Sequence, residues 1–231
     1  MIHGLTRRSL LLAAMATVAA APRALAQSDL YGDEMGYDPL LLPPPESPTD
    51  FPIEPADISV IPEKFQRQVV AYRGQQQPGT IIVRPHKRFL LYVLPEGQAI
   101  RYGVGVGREG FGWSGEAEVR MKRRWPRWVP PKEMVKRDKN ARKWANGQPG
   151  GPDNPLGARA LYLFSQTLYA GFSDSGYRIH GTNAPETIGK AMSSGCIRML
   201  NEDIAELFER APLGTRVVVK QTADAADPDE T

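Results

Sequence analysis

Three features of this 231-residue sequence predict a mostly-β (α+β) single domain. Short runs of β-branched and aromatic residues recur through its middle, each bounded by Gly, Pro or Asn. A clear helical period occurs only near the end, so one or two short helices are expected. Strand patterns never alternate with long helical ones, which excludes a doubly wound fold.

Residues 1–26 read as an export signal. Thr6-Arg7-Arg8-Ser9-Leu10-Leu11 precedes an apolar run from Leu12 to Ala21, and Ala24-Leu25-Ala26 offers a small-residue cleavage site. The paired arginines point to a twin-arginine-like route. The run is short for a bilayer span, and Pro22 and Arg23 break it, so no stable membrane insertion is expected after cleavage. The expected location is the periplasm of a Gram-negative bacterium.

Residues 27–68 hold Pro43-Pro44-Pro45, Pro48, Pro52 and Pro55, with nine acids against Lys64 and Arg67. Missing backbone donors and like charges predict a disordered, acidic linker. Residues 221–231 read as a disordered acidic tail. Without residues 1–26 the formal charge of +3 falls to zero, and that zero hides a segregation. The linker carries −7, the tail −4 and the domain at 69–220 the compensating +11.

Within that domain, Thr80-Ile81-Ile82-Val83 and Phe89 to Leu94 read as strands separated by Pro85-His86-Lys87. Glu96-Gly97 turns the chain into Ala99 to Gly107, where Gly103, Gly105 and Gly107 suggest a bulge or close backbone approach. Their spacing is not that of a nucleotide-binding loop. Leu161 to Phe164, Tyr177 to Ile179 and Thr215 to Val219 are further strands. Asn201-Glu202-Asp203 is expected to cap a helix whose Ile204, Leu207 and Phe208 share one face, ended by Pro212 and Gly214.

All four tryptophans lie between 113 and 144, and Arg120 to Lys143 holds eleven Lys or Arg against two acids. Such a stretch can bind nucleic acid, a partner that export excludes. Two readings remain for this basic insertion. It is a solvated segment with indoles packed on the sheet, or a substrate-side lobe whose cations attract carboxylates while Trp125 and Trp128 stack on sugars. The acidic linker would be drawn to the same patch.

The chain has one cysteine, Cys196, so no disulfide can form within it. His180 ends a predicted strand 16 positions earlier, across a loop containing Pro185 and Gly189. A loop of that length can return the thiol to imidazole reach, which suits nucleophilic catalysis. Ser193-Ser194-Gly195 offers backbone N–H groups for an oxyanion, and Arg198 can hold a carboxylate or favour a thiolate. The bland reading is a buried, inert thiol. The polar neighbours of Cys196 make poor core, so both readings stand on these residues alone. One Cys and three His give no metal-ligand spacing.

His180-Gly181-Thr182 followed by Ser193-Ser194-Gly195-Cys196-Ile197-Arg198-Met199 resembles the signature of the L,D-transpeptidase (YkuD-type) catalytic domain of bacterial cell-wall enzymes. Asn154-Pro155-Leu156-Gly157 and its following strand are similar to that family too, and the resemblance covers about 69–220. It implies a β-sandwich domain with Cys196 as nucleophile, His180 as base and the Gly181 carbonyl orienting the imidazole. Ser194 and Gly195 would serve the oxyanion, and Arg198, Trp125 and Trp128 would be substrate-binding candidates. Many members carry Ser-His-Gly-Cys, and Ser194 stands where their second His would be. The implied partner is a peptidoglycan stem tetrapeptide. Its acyl group would pass through a thioester to a stem amine in a 3→3 cross-link, to water, or to an acidic envelope protein. The resemblance calls for no metal or organic cofactor. A non-catalytic wall-binding module is the rival reading from another class.

Overall fold

The structure is a computed structural model that describes residues 49–107, 113–167, 171–193 and 196–220. The expected signal, the linker before Thr49 and the tail lie outside the described residues.

The strands are β1 (Gln68–Ala71), β2 (Ile81–Arg84), β3 (Phe89–Leu94), β4 (Gln98–Gly103), β5 (Val106–Gly107), β6 (Gly115–Arg124), β7 (Arg159–Thr167), β8 (Gly171–His180), β9 (Ala191–Ser193), β10 (Ile197–Arg198) and β11 (Arg216–Val219). Nine of them form one sheet in the order β1-β4-β3-β2-β11-β6-β7-β8-β10, and β5 pairs with β9 in a second, small sheet. The β3–β4 turn is sharp because Glu96 and Gly97 both take left-handed φ, 61° and 67°. Three α-helices are present among the described residues: α1 (Lys132–Arg137), α2 (Lys139–Lys143) and α3 (Asn201–Arg210). Only α3 carries the helical period the sequence displays.

Alternation along the strands puts Ile81, Val83, Leu90, Val119, Leu163 and Val217 on one face of the large sheet. There they share a core with Ile204, Leu207 and Phe208 of α3. Asn201 does not cap that helix. Leu200 is the N-cap and makes no side-chain cap bond. The Asn201 side chain instead accepts from Ala158 N (2.9 Å) and Thr182 N (3.2 Å), tying two loops to the helix start.

Two further expectations need correction. The acidic linker was predicted to run to residue 68, yet residues 49–68 pack on the domain. Asp50 Oδ1 accepts from Trp125 Nε1 at 3.0 Å, and Asp50 also pairs with Arg124 and Arg159. Ile61 and Phe65 are buried, and Arg67 reaches Asp203 at 3.4 Å. Proline removes donors from this segment, but two buried apolar side chains and these ion pairs replace the missing ladder. The pull between acids and basic stretch is real at Asp50.

The second correction concerns the basic insertion. Residues 115–124 are a strand, β6, paired on both sides to β11 and β7. Several of its cations serve the fold. Lys122 Nζ donates to the carbonyls of Phe208 and Ala211, satisfying the end of α3. Arg124 pairs with Asp50 and Glu209. Trp125 is no sugar platform: it is 2% exposed, with its indole N–H held by Asp50 and the Phe51 carbonyl. Charge runs hide alternation, because a cation on a strand counts as polar whichever face its stem covers.

Trp125→Ala is expected to cost about 3–5 kcal/mol in denaturant unfolding. Trp144→Ala, at a site 39% exposed, should stay within about 0.5 kcal/mol of the parent.

Candidate active site

β8 ends at His180, and β10 pairs with it in parallel, with Ile197 opposite Ile179 and Arg198 opposite His180. Continued back one position, that register puts Cys196 opposite Arg178. Side chains two apart on a strand share a face, and partners in register point the same way. Arg178, His180 and Arg198 therefore lie on one face of the sheet, and Cys196, immediately before β10, is close enough to Arg178 and Arg198 to feel both charges. Strand spacing and rise set the Cα positions of Cys196 and His180 about 8 Å apart on that diagonal, within reach of two converging side chains.

His180 is 5% exposed, and its Nδ1 lies 2.6 Å from the Gly181 carbonyl. A carbonyl only accepts, so Nδ1 carries the proton and Nε2 keeps its lone pair. Gly181 has no room for a side chain, because a Cβ there would meet Asn201 Oδ1 at 2.2 Å. Gly157 is excluded by the same oxygen, also at 2.2 Å, and has φ +63°. Asn154, 1% exposed, folds the preceding turn by donating to Gln148 and Pro149 carbonyls and accepting from Leu156 N at 2.8 Å. Asn154-Pro155-Leu156-Gly157 is thus the floor under the His-Gly-Thr turn.

Burial drops the His180 pKa to about 4, assisted by Arg198 and Arg178 and opposed by the Gly181 and Leu156 carbonyls. Burial pushes the half-buried Cys196 thiol up, against the pull of the Arg178 and Arg198 charges. Both shifts favour the neutral form of each group, so the pair rests as thiol and imidazole. The two arginines differ. Arg178 is held bidentately by Asp174, at 2.7 and 2.6 Å, and stacks over the Tyr162 ring at 4.4 Å. The Arg198 guanidinium makes no hydrogen bond or ion pair among the described residues. Burial lowers its pKa, against the pull of the nearby Cys196 and Glu186.

Ser194 and Gly195 lie outside the described residues. Trp128 is half-buried, and its backbone exchanges hydrogen bonds with Gln148 across the base of the tryptophan-rich lobe. Sequence reasoning passed over Arg178 and gave Asn201 only a helix-capping role. Counting back two from His180 along its strand would have found Arg178, whereas the partners of Asn201 are 43 and 19 positions away. No group of three or more His, Cys, Asp or Glu among the described residues is arranged to hold a metal ion.

A model of the L,D-transpeptidase catalytic domain matches residues 78–219. The chain belongs to this family. It is 40% identical over 139 residues to the "Probable L,D-transpeptidase YbiS" of Escherichia coli K12, covering 55% of this chain and 40% of that protein. Identity to the "Probable L,D-transpeptidase ErfK/SrfK" of the same strain is 35% over 148 residues, 60% of this chain and 43% of the relative. The chain thus spans about two-fifths of these relatives' length. A crystal structure from Brucella melitensis, described as a "Probable carnitine operon oxidoreductase", is 47% identical. It matches over 71% of this chain and 99% of that one, with a TM-score of 0.46, and its name stands apart from the other relatives'.

The histidine shift has a pH signature. An imidazole at about 4 when folded and 6.5 when unfolded contributes stability that is fully present above pH 6.5 and lost as pH falls through 4. Asp203 runs the other way: burial raises it to about 6, so its contribution is lost as pH rises through 6. Comparing wild type with His180→Gln cancels Asp203. From pH 7 to pH 4 the wild type should lose about 3 kcal/mol more than the variant in urea titrations.

Proposed function

We propose that this protein is a peptidoglycan L,D-transpeptidase that works through a Cys196 thioester. The reading is supported by the parallel register of β10 with β8, which sets Arg198 beside His180 two positions after Cys196, and by the Nδ1 contact with the Gly181 carbonyl, which leaves Nε2 as base. The proposed donor is a stem tetrapeptide. His180 Nε2 takes the thiol proton as Cys196 Sγ bonds to the carbonyl carbon of the third, diamino-acid residue. Backbone N–H groups around Ser194 and Gly195 receive the developing oxyanion. Collapse breaks the C–N bond, the imidazolium protonates the departing nitrogen, and D-Ala leaves. An acceptor amine then attacks the thioester, its surplus proton passes to His180, and the thiol is regenerated as the 3→3 cross-link forms.

Water as acceptor makes the same first half-reaction a carboxypeptidase, and a protein amine tethers that protein to the wall. These outcomes differ only in what reaches the thioester. Exposed Lys132, Arg137, Lys139 and Lys143 of α1 and α2 suit attraction of an acidic wall segment or an acidic envelope protein. Export to the periplasm belongs to the same proposal. Among the described residues no helix is long and apolar enough to cross a membrane.

Arg198 is proposed to receive the substrate carboxylate, being a desolvated guanidinium near the thiol with no anion bonded to it among the described residues.

Incubated with tetrapeptide muropeptide, the wild type should release D-Ala and form a dimer, and Cys196→Ala should do neither. Dimer formation by the variant at the parental rate would end the mechanism. For the carboxylate, Arg198→Gln should raise KM about tenfold with kcat little changed. Amidation of the substrate's terminal carboxylate should erase the difference between wild type and variant. An equal penalty on both substrates would remove Arg198 from recognition.

A further inference from the structure

The family match begins at residue 78, yet the segment before it, Asp50 to Arg67, is fitted to the catalytic loop more closely than a spacer needs to be. Its 3-10 turns, Ile58–Val60 and Glu63–Phe65, deliver Ile61 and Phe65 into a small buried cluster. The other buried members are Ile188, from the loop between His180 and Cys196, and Leu200, immediately before α3. Phe65 also meets Phe89 at 5.3 Å between ring centroids.

Two glycines on separate elements face Phe65, and neither has space for a Cβ. At Gly189, in the His180–Cys196 loop, the added carbon would sit 2.4 Å from the Phe65 ring, and φ there is +78°. At Gly103, ending β4, it would sit 2.1 Å from the Phe65 carbonyl. Gly189 is then pinned from its other sides. Its N–H donates to Val104 O at 3.1 Å, and its carbonyl accepts from Arg88 at 3.2 Å. The next residue, Lys190, accepts from Val106 N at 3.0 Å and leads into β9, the strand before Cys196.

The other end of the segment supports the histidine side. Asp50 and the Phe51 carbonyl hold the Trp125 indole N–H, and Phe51 packs edge-on against that ring at 5.5 Å. Trp125 has a left-handed φ of 41°, and its N–H donates to Ala158 O at 2.7 Å. Ala158 N in turn shares Asn201 Oδ1 with Thr182 N, two residues after His180. Between these anchors Ala56 N donates to Glu202 and Arg67 pairs with Asp203, both in the first turn of α3.

We infer that residues 50–67 are a positioning strap, in which Phe65 sets the loop that brings Cys196 to His180. The working unit therefore starts well before residue 78. This rests on the thioester reading for its kinetic arm alone.

The test is a series Phe65→Leu, Phe65→Val and Phe65→Ala in the otherwise intact chain, with Val93→Ala as control. Val93 is buried in a separate cluster with Tyr72, Ile82, Leu91 and Ala99. Each variant is read by thermal midpoint, by kcat and KM, and by the pH dependence of Cys196 alkylation with iodoacetamide. Phe65→Ala should lower kcat about tenfold, leave KM within about twofold, and move the alkylation midpoint down toward that of an ordinary thiol. Phe65→Leu should restore both, and Phe65→Val should fall between. Val93→Ala should lose thermal stability without moving either. If Phe65→Ala proves too unstable to purify, the Leu-to-Val step is read on the same axes, and a flat response overturns the proposal. Equal behaviour of the Phe65 and Val93 variants overturns it too. Alkylation needs no muropeptide, so this outcome stands apart from whether Cys196→Ala abolishes transpeptidation.

Discussion

Everything at the site depends on one short parallel pairing, β10 against β8. Among the described residues it registers Ile197 with Ile179 and Arg198 with His180. Because side chains alternate, a slip of one residue would turn Cys196 away from the imidazole and send Ile197 out of the core. Ile197 and Ile179 are both fully buried, so that slip carries the cost of exposing a large apolar side chain, about 2 kcal/mol or more. The core thus enforces the register of β10 on β8 through Ile197, between Cys196 and Arg198, and Ile179, between Arg178 and His180. An antiparallel bridge adds a second constraint, since Arg198 and Gly105 exchange N–H···O bonds at 2.9 Å in both directions.

A two-residue strand cannot hold itself, and the surrounding loops explain why it persists. The His-Gly-Thr turn is supported from below by Asn154 and Asn201, whose side-chain oxygens do work that a sheet ladder would do elsewhere. The loop from Thr182 to Lys190 is held against Phe65, Val104 and Arg88. Glycine stands where the chain runs close to another group, at Gly157 and Gly181 against Asn201 Oδ1 and each other's backbone and at Gly189 against the Phe65 ring, because a Cβ at any of them would collide.

Much of this was legible in the sequence. The strands with dense β-branched runs were readable, as was the apolar face of α3, because their periodicity is local. His180 and Cys196 drew attention in the sequence because so few residue types can do nucleophilic chemistry, and the structure runs the strand after Cys196 beside the one that ends at His180. What escaped has a common cause. β6 was hidden by its Lys and Arg, whose stems cover the sheet while their charges reach carbonyls and carboxylates. The segment at 49–68 looked unstructured because its order comes from side chains meeting partners more than seventy positions away, such as Asp50 with Arg124 and Trp125. Asn201 read as a cap for the same reason, since nothing local reveals that its oxygen is claimed by two distant amides.

The electrostatics follow from that tight packing. Arg178 and Arg198 both favour a thiolate at Cys196, yet burial outweighs them, and it outweighs the carbonyls that would charge His180. Taking both groups out of water is what keeps the pair neutral at rest. A neutral thiol is a poor target for oxidants and for stray electrophiles, whose chemistry runs through the thiolate. In the proposed mechanism the proton would move only when a carbonyl sits beside the sulfur and an oxyanion begins to form, with the charges of Arg178 and Arg198 already near the thiol. For the exported thioester enzyme proposed above, a site that withholds the thiolate until substrate arrives would reconcile a reactive residue with a long working life.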